Sequence, residues 1–191
     1  MNAVLPMRAL RLLVACAVAA CTAAMAADGW PEAARPGAVV LLRHATAPGT
    51  GDPPGFRADD CATQRNLSEE GRAEARRLGV LFREKRIAVD EVLTSQWCRT
   101  RETARLAFGE KLPRDEPAFN SFLGQAPARR EAQTAAARDL LARWRGPGAL
   151  VVVTHQFNIT ALTGIGAASA QGVVVRAGPD GGLQVLGTIE P

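Results

Sequence analysis

Histidine is nearly absent from this chain, which holds two in 191 residues, His44 and His155. No two of His44, Cys61, Cys98 and His155 have the short spacing of a zinc motif, and Arg43 beside His44 would repel a cation; no metal and no cofactor is implied. No apolar run reaches the roughly 20 residues that span a bilayer. A fixed-period repeat and a low-complexity tract are also missing, which excludes solenoids and tails. Nor is there a block of one charge: in "REKR" and "ARREA" acids interleave with the arginines, the pattern of a solvated face, so nucleic acid is not expected as a partner.

What is present first is a leader. "MNAVLPMRALRLLVACAVAACTAAMAADGW" carries Arg8 and Arg11, then an apolar stretch from Leu12 to Ala20, then small residues with "AMA" before Ala27. This is the layout of an export signal. "VAAC" ending at Cys21 also fits a lipoprotein signal, in which that cysteine would carry the only membrane anchor. The sequence favours plain cleavage near Ala26, hence a signal peptide over 1–26, a single domain over 27–191, and a periplasmic or secreted location. Removing the leader lowers the formal charge from +4 to +2, because it takes away two arginines and no acid. Cys61 and Cys98 remain, an even pair in an oxidising setting, and are expected to bond to each other; two buried free thiols are the alternative.

Along the domain, Ala38 to Leu42 reads as a buried strand, and the Pro- and Gly-rich "APGTGDPPGFRADDC" that follows reads as a surface loop. Ser68 offers an N-cap, with Glu69 and Glu70 at the positive helix start and Gly71, Ala75, Leu78 and Phe82 at helical spacing to about Arg86. A strand at Glu91 to Thr94 and a helix from Trp97 to Phe108 come next. After a turn-rich stretch through Pro113 and Pro117, a second long helix carries Ala137, Leu140, Leu141 and Trp144, and "ALVVVT" is another buried strand. The tail around "GPDGG" reads as a terminal hairpin. Strand and helix alternate, and the strands lack in-out alternation. The expected fold is therefore α/β, a three-layer α/β/α sandwich with a mainly parallel sheet.

"AVVLLRH" and "ALVVVTH" share one form: a buried run, one polar residue, then histidine. In an open parallel sheet ligands bind outside the carboxyl ends of the strands, so His44 and His155 can meet there. Arg43 precedes the first, and Arg99 lies in "TSQWCRTRETA", in the first turn after a strand. Guanidinium forks beside a helix start with free N–H groups suit a phosphate dianion.

"LLRHATAPG", "QRNLSEEGRAEARRLG", "VLTSQWCRTRETA" and "VVVTHQFNI", in this order over residues 38 to about 165, resemble the ordered motifs of the histidine phosphatase superfamily. The resemblance implies a phosphohistidine mechanism, with His44 as nucleophile, Arg43 and Arg99 as phosphate clamps and His155 as the second histidine. It implies an exported phosphomonoester phosphatase acting on a small phosphorylated substrate, or, as an alternative, a weak or inactive phosphate-binding protein of the same fold. Thr46, Asn66 and Gln156 are candidate substrate-binding residues. The departure from the family concerns the general acid: Ser121 stands where a glutamate is expected and Gln156 where some relatives have aspartate. That leaves Glu116 or one of Asp52, Asp59 and Asp60 as a proton donor, or no acid with a leaving group of low pKa. Sequence gives no oligomeric state.

Overall fold

The structure, a computed structural model, describes residues 27–109, 113–179 and 181–191. The proposed leader and Cys21 lie outside the described residues. Six strands form one sheet in the order β3-β2-β4-β1-β5-β6. They are β1 Val39–Arg43, β2 Val89–Thr94, β3 Pro113–Asp115, β4 Ala149–Thr154, β5 Gly172–Ala177 and β6 Leu183–Ile189. The pairs β3-β2, β2-β4 and β4-β1 are parallel, while β5 joins β1 and β6 joins β5 antiparallel. The terminal hairpin read from the tail is thus the antiparallel edge of an otherwise parallel sheet.

Helices α2 Glu69–Glu84 and α3 Cys98–Phe108 cover one face, and α4 Pro127–Ala142 and α5 Gln156–Thr163 the other. Alternate residues of each central strand feed opposite cores. Val40, Leu42, Val151 and Val153 pack with Ala75, Leu78, Phe82 and Ala104. Val39, Leu41, Leu150 and Val152 pack with Ala137, Leu141, Ile159 and Leu162. Being apolar on both faces is why these strands read as continuous runs. The three-layer sandwich is as expected.

Ser68 caps α2, its Oγ accepting from the Gly71 N–H at 3.1 Å. Gly71 and Gly79 let α2 approach its neighbours closely: a Cβ on the first would lie 2.1 Å from the Thr46 carbonyl oxygen, and on the second 2.2 Å from that of Ala107. Two small elements were not legible in the sequence. A single helical turn, α1 Trp30–Ala33, buries Trp30 edge-on against Phe82. The three-residue β3 sits inside the stretch read as turns and pairs with β2.

Candidate active site

Strand register builds the centre of the site. Arg43, the last residue of β1, pairs with Thr154, the last of β4, so His44 and His155 leave adjacent parallel strands side by side. Their ring centroids are 5.5 Å apart. β4 is flanked on its other side by β2, and the chain leaving β2 turns into α3, which brings Arg99 to the same end. All four residues placed in the catalytic centre from sequence line one cavity of about 360 Å³.

Hydrogen bonds fix the state of each imidazole. His44 Nδ1–H donates to the Ala45 carbonyl at 2.7 Å. The Ala45 N–H is itself held by Thr103 Oγ1 on α3 at 3.1 Å. The proton therefore sits on Nδ1, and the Nε2 lone pair is the reactive one; Arg99 Nε donates to it at 3.2 Å. Burial is the main force that lowers the His44 pKa from 6.5 to about 3, with the three arginines pushing the same way against the Ala45 hydrogen bond. His44 is a neutral base near pH 7.

His155 is also held neutral, its pKa lowered well below 6.5 by burial first, then by Arg99 and His44. Arg99 Nη2 donates to its Nδ1 at 3.4 Å, which leaves the Nε2 proton for Ser95 Oγ at 2.9 Å. Arg99 thus touches both histidines. Its remaining arm, Nη1, donates to Asp52 Oδ1 at 3.0 Å, and Asp52 Oδ2 accepts from Trp97 Nε1 at 2.9 Å.

The loop over residues 47–65 supplies Asp52, and also Arg65, a third cation on the cavity wall that sequence reasoning missed. Arg65 Nε donates to the Gly51 carbonyl at 3.0 Å and Nη1 to that of Ala47. Its one signal in the sequence was its place beside Asn66 in "QRNLSEEG". The loop is held down at the start of α3: Cys61 and Cys98 form the expected disulfide, Phe56 stacks on Trp97 with centroids 5.0 Å apart, and the Cys98 N–H donates to Gln64 Oε1 at 2.9 Å. The bond between Cys61 and Cys98 dissolves the two-Cys, two-His set considered as a zinc centre.

Three expectations need correction. Thr46 does not reach the cavity; its N–H and hydroxyl both donate to the Glu74 carboxylate, at 2.8 and 2.9 Å, and tie the strand end to α2. Asn66 also turns away, its amide donating to the carbonyls of Cys61 and Gln64 at 2.8 and 3.3 Å. A short polar side chain in a loop meets nearby backbone groups first. The start of α3 does not offer a set of free N–H groups either. Gln96, Trp97 and Cys98 donate to Asn120 Oδ1, Ser95 Oγ and Gln64 Oε1. Gln156 does line the cavity, as expected.

Among the acid candidates, Asp52 is spent on Arg99 and Trp97. Asp60 pairs with Arg57 and caps the 3-10 turn Cys61–Thr63, and Glu116 accepts from the Ala118 N–H; neither lines the cavity. Ser121 does, in the place expected for a glutamate. Arg43 Nη1 donates to the Ala167 carbonyl at 3.0 Å, whereas its buried Nε has no partner among the described residues. Arg43, Arg65 and Arg99 face one carboxylate, that of Asp52, and two neutral imidazoles, so the cavity carries an excess of two positive charges. That charge matches a phosphate monoester dianion.

A sandwich with paired histidines and clustered guanidinium groups at its strand ends defines a phosphate-handling α/β protein. Residues 39–117 match the family model of the histidine phosphatase superfamily (branch 1), a span that includes Arg43, His44 and Arg99. Over that span the chain is similar to the superfamily. No curated protein matches it in sequence. Among solved structures, the open reading frame Rv3214 of Mycobacterium tuberculosis is similar at 17% identity and TM-score 0.61, over 78% of this chain and 96% of that one. Mycobacterial glucosyl-3-phosphoglycerate phosphatase Rv2419c is similar at 19% identity and TM-score 0.57, over 79% and 97%. The protein histidine phosphatase SixA complexed with tungstate is similar at 15% identity and TM-score 0.51, over 81% and 97%. These likenesses are likenesses of fold.

Proposed function

We propose that the protein is an exported phosphomonoester phosphatase acting through a phosphohistidine on His44. The observation that carries this reading is the state of His44: proton fixed on Nδ1, Nε2 lone pair directed to a cavity with an excess of two positive charges. Nε2 attacks phosphorus, an N–P bond forms as the ester P–O bond breaks, and the leaving oxygen takes the electron pair. Arg43, Arg65 and Arg99 neutralise the charge spread over the three equatorial oxygens. Water then attacks the phosphohistidine, and phosphate departs as Nε2 regains its lone pair. The tungstate bound by the SixA relative, a phosphate analogue, supports a phosphate ligand here. Export is supported by the leader and by the Cys61–Cys98 disulfide, a bond of oxidising compartments.

The test is a rapid acid-free quench with 32P-labelled substrate. An acid-labile phosphoryl group on His44, absent from His44→Ala, is expected together with phosphate release. Phosphate binding without label or release would select the binding-protein alternative. Mass measurement of the protein recovered from a cell-envelope fraction tests the cleavage near Ala26.

A further inference from the structure

Four large apolar side chains stand exposed among the described residues, and two of them, Leu123 and Phe157, open on the cavity that holds His44. They come from different elements. Leu123 follows the 3-10 turn Pro117–Phe119, and Phe157 is the second residue of α5. Each is about half exposed, 49% and 51%, and neither belongs to a core cluster. Ser121 and Gln156 lie beside them on the cavity wall. This side of the cavity is uncharged and carries its exposed apolar side chains, in contrast to the arginines opposite.

It also lacks a proton donor. Asp52 is the one carboxyl on the cavity wall among the described residues, and both its oxygens accept from Arg99 and Trp97. With both oxygens committed as acceptors, Asp52 is not placed to hand a proton to a departing oxygen. An aliphatic alkoxide, whose alcohol has a pKa near water's ~15.7, is a poor leaving group there. A phenolate, with a parent pKa of about 10, leaves without that help.

We infer that the substrate class is the aryl phosphates: phosphate esters of phenols or comparably acidic aromatic hydroxyls, with the ring packed on Leu123 and Phe157. This rests on the phosphatase reading above and refines it. The phosphoryl group sits among Arg43, Arg65 and Arg99, the ring on the apolar shelf, and the P–O bond breaks with the electron pair leaving on the phenolate oxygen.

The experiment measures kcat/KM of the disulfide-intact protein on substituted phenyl phosphates, 1-naphthyl phosphate, glycerol 2-phosphate and acetyl phosphate. Acetyl phosphate has a good leaving group and no ring. A leaving oxygen that departs with its full charge should lose close to tenfold in rate for each unit of parent pKa. Phenyl phosphate should exceed glycerol 2-phosphate by about 100,000-fold on that slope. Leu123→Ser and Phe157→Ser should each lower kcat/KM for 1-naphthyl phosphate by roughly tenfold, with acetyl phosphate changed less than twofold. A flat dependence on leaving-group pKa, or shelf substitutions that affect both substrates alike, would overturn the assignment. If acetyl phosphate is hydrolysed but aryl esters are not preferred, the substrate class alone fails. If no substrate is turned over, the phosphatase reading fails with it.

Discussion

Arg99 Nε and His44 Nε2 meet at 3.2 Å, with the guanidinium donating to the lone pair proposed as the nucleophile. In the proposed mechanism one side chain is thereby both clamp and cover for the nucleophile. A bound phosphoryl group, richer in negative charge than an imidazole nitrogen, is expected to draw the N–H groups onto its own oxygens and so uncover Nε2.

Arg99→Lys should therefore be far from conservative. An ammonium keeps the charge but cannot bridge His44, His155 and Asp52 at once. A fall in kcat/KM of about 100-fold or more is expected, with circular dichroism unchanged, and steady-state kinetics on acetyl phosphate would measure it.

Stability should depend on pH through the two histidines. The folded pKa of His44 is lowered from 6.5 to about 3 and that of His155 is lowered too, so between those limits the unfolded chain binds protons that the folded chain does not. Stability is full above 6.5 and declines as pH falls towards 3, by up to about 1.4 kcal/mol per pH unit for each histidine. Urea denaturation at pH 7, 6 and 5 should show this decline, and His44→Gln should remove about half of it.

The double substitution Cys61→Ser, Cys98→Ser should cost about 3 to 4 kcal/mol of stability in the chain-entropy model. It should also raise KM, since the tether ends one residue before Arg99 and holds the loop that carries Asp52 and Arg65. Urea unfolding with and without reductant checks the first effect, and substrate titration the second.

Gly79→Ala and Gly71→Ala separate packing from chemistry. Both force a Cβ within about 2 Å of a backbone carbonyl oxygen, Ala107 in one case and Thr46 in the other. Each should lower stability by roughly 1 to 3 kcal/mol. Gly71→Ala displaces the segment two residues after His44 and should also reduce kcat, whereas Gly79→Ala, between α2 and α3, should change kcat much less. Thermal unfolding paired with kinetics distinguishes them.

The sandwich, the α2 cap and the four central residues were legible because each has a local cause: a doubly buried strand, a Ser-Glu-Glu start, a charged residue directly after an apolar run. The disulfide was legible from compartment and parity. Arg65 was not singled out, and Asp52 was read as a possible acid rather than as the partner of Arg99, because the 47–65 loop takes its path from contacts made 30 to 50 residues away, such as Phe56 on Trp97 and Asp52 on Arg99. Thr46 and Asn66 were misplaced for the opposite reason. Their sequence position beside the motif is right, but Glu74 and the Cys61 carbonyl satisfy them before any substrate does. Short elements such as α1 and β3 carry too few residues for a period to show.

The pairing of Arg43 with Thr154 makes the sheet a ruler for the chemistry. The separation of His44 and His155 is set by the hydrogen-bonded spacing of two neighbouring strands, about 4.8 Å, which no loop insertion can alter. The leaving-group side is built from chain outside the sheet, where Leu123, Gln156 and Phe157 sit beyond the strand ends. Reaction and selectivity are thus inherited separately: substitutions on the rim can retune which ester enters while the distance across which phosphorus is handled stays constant.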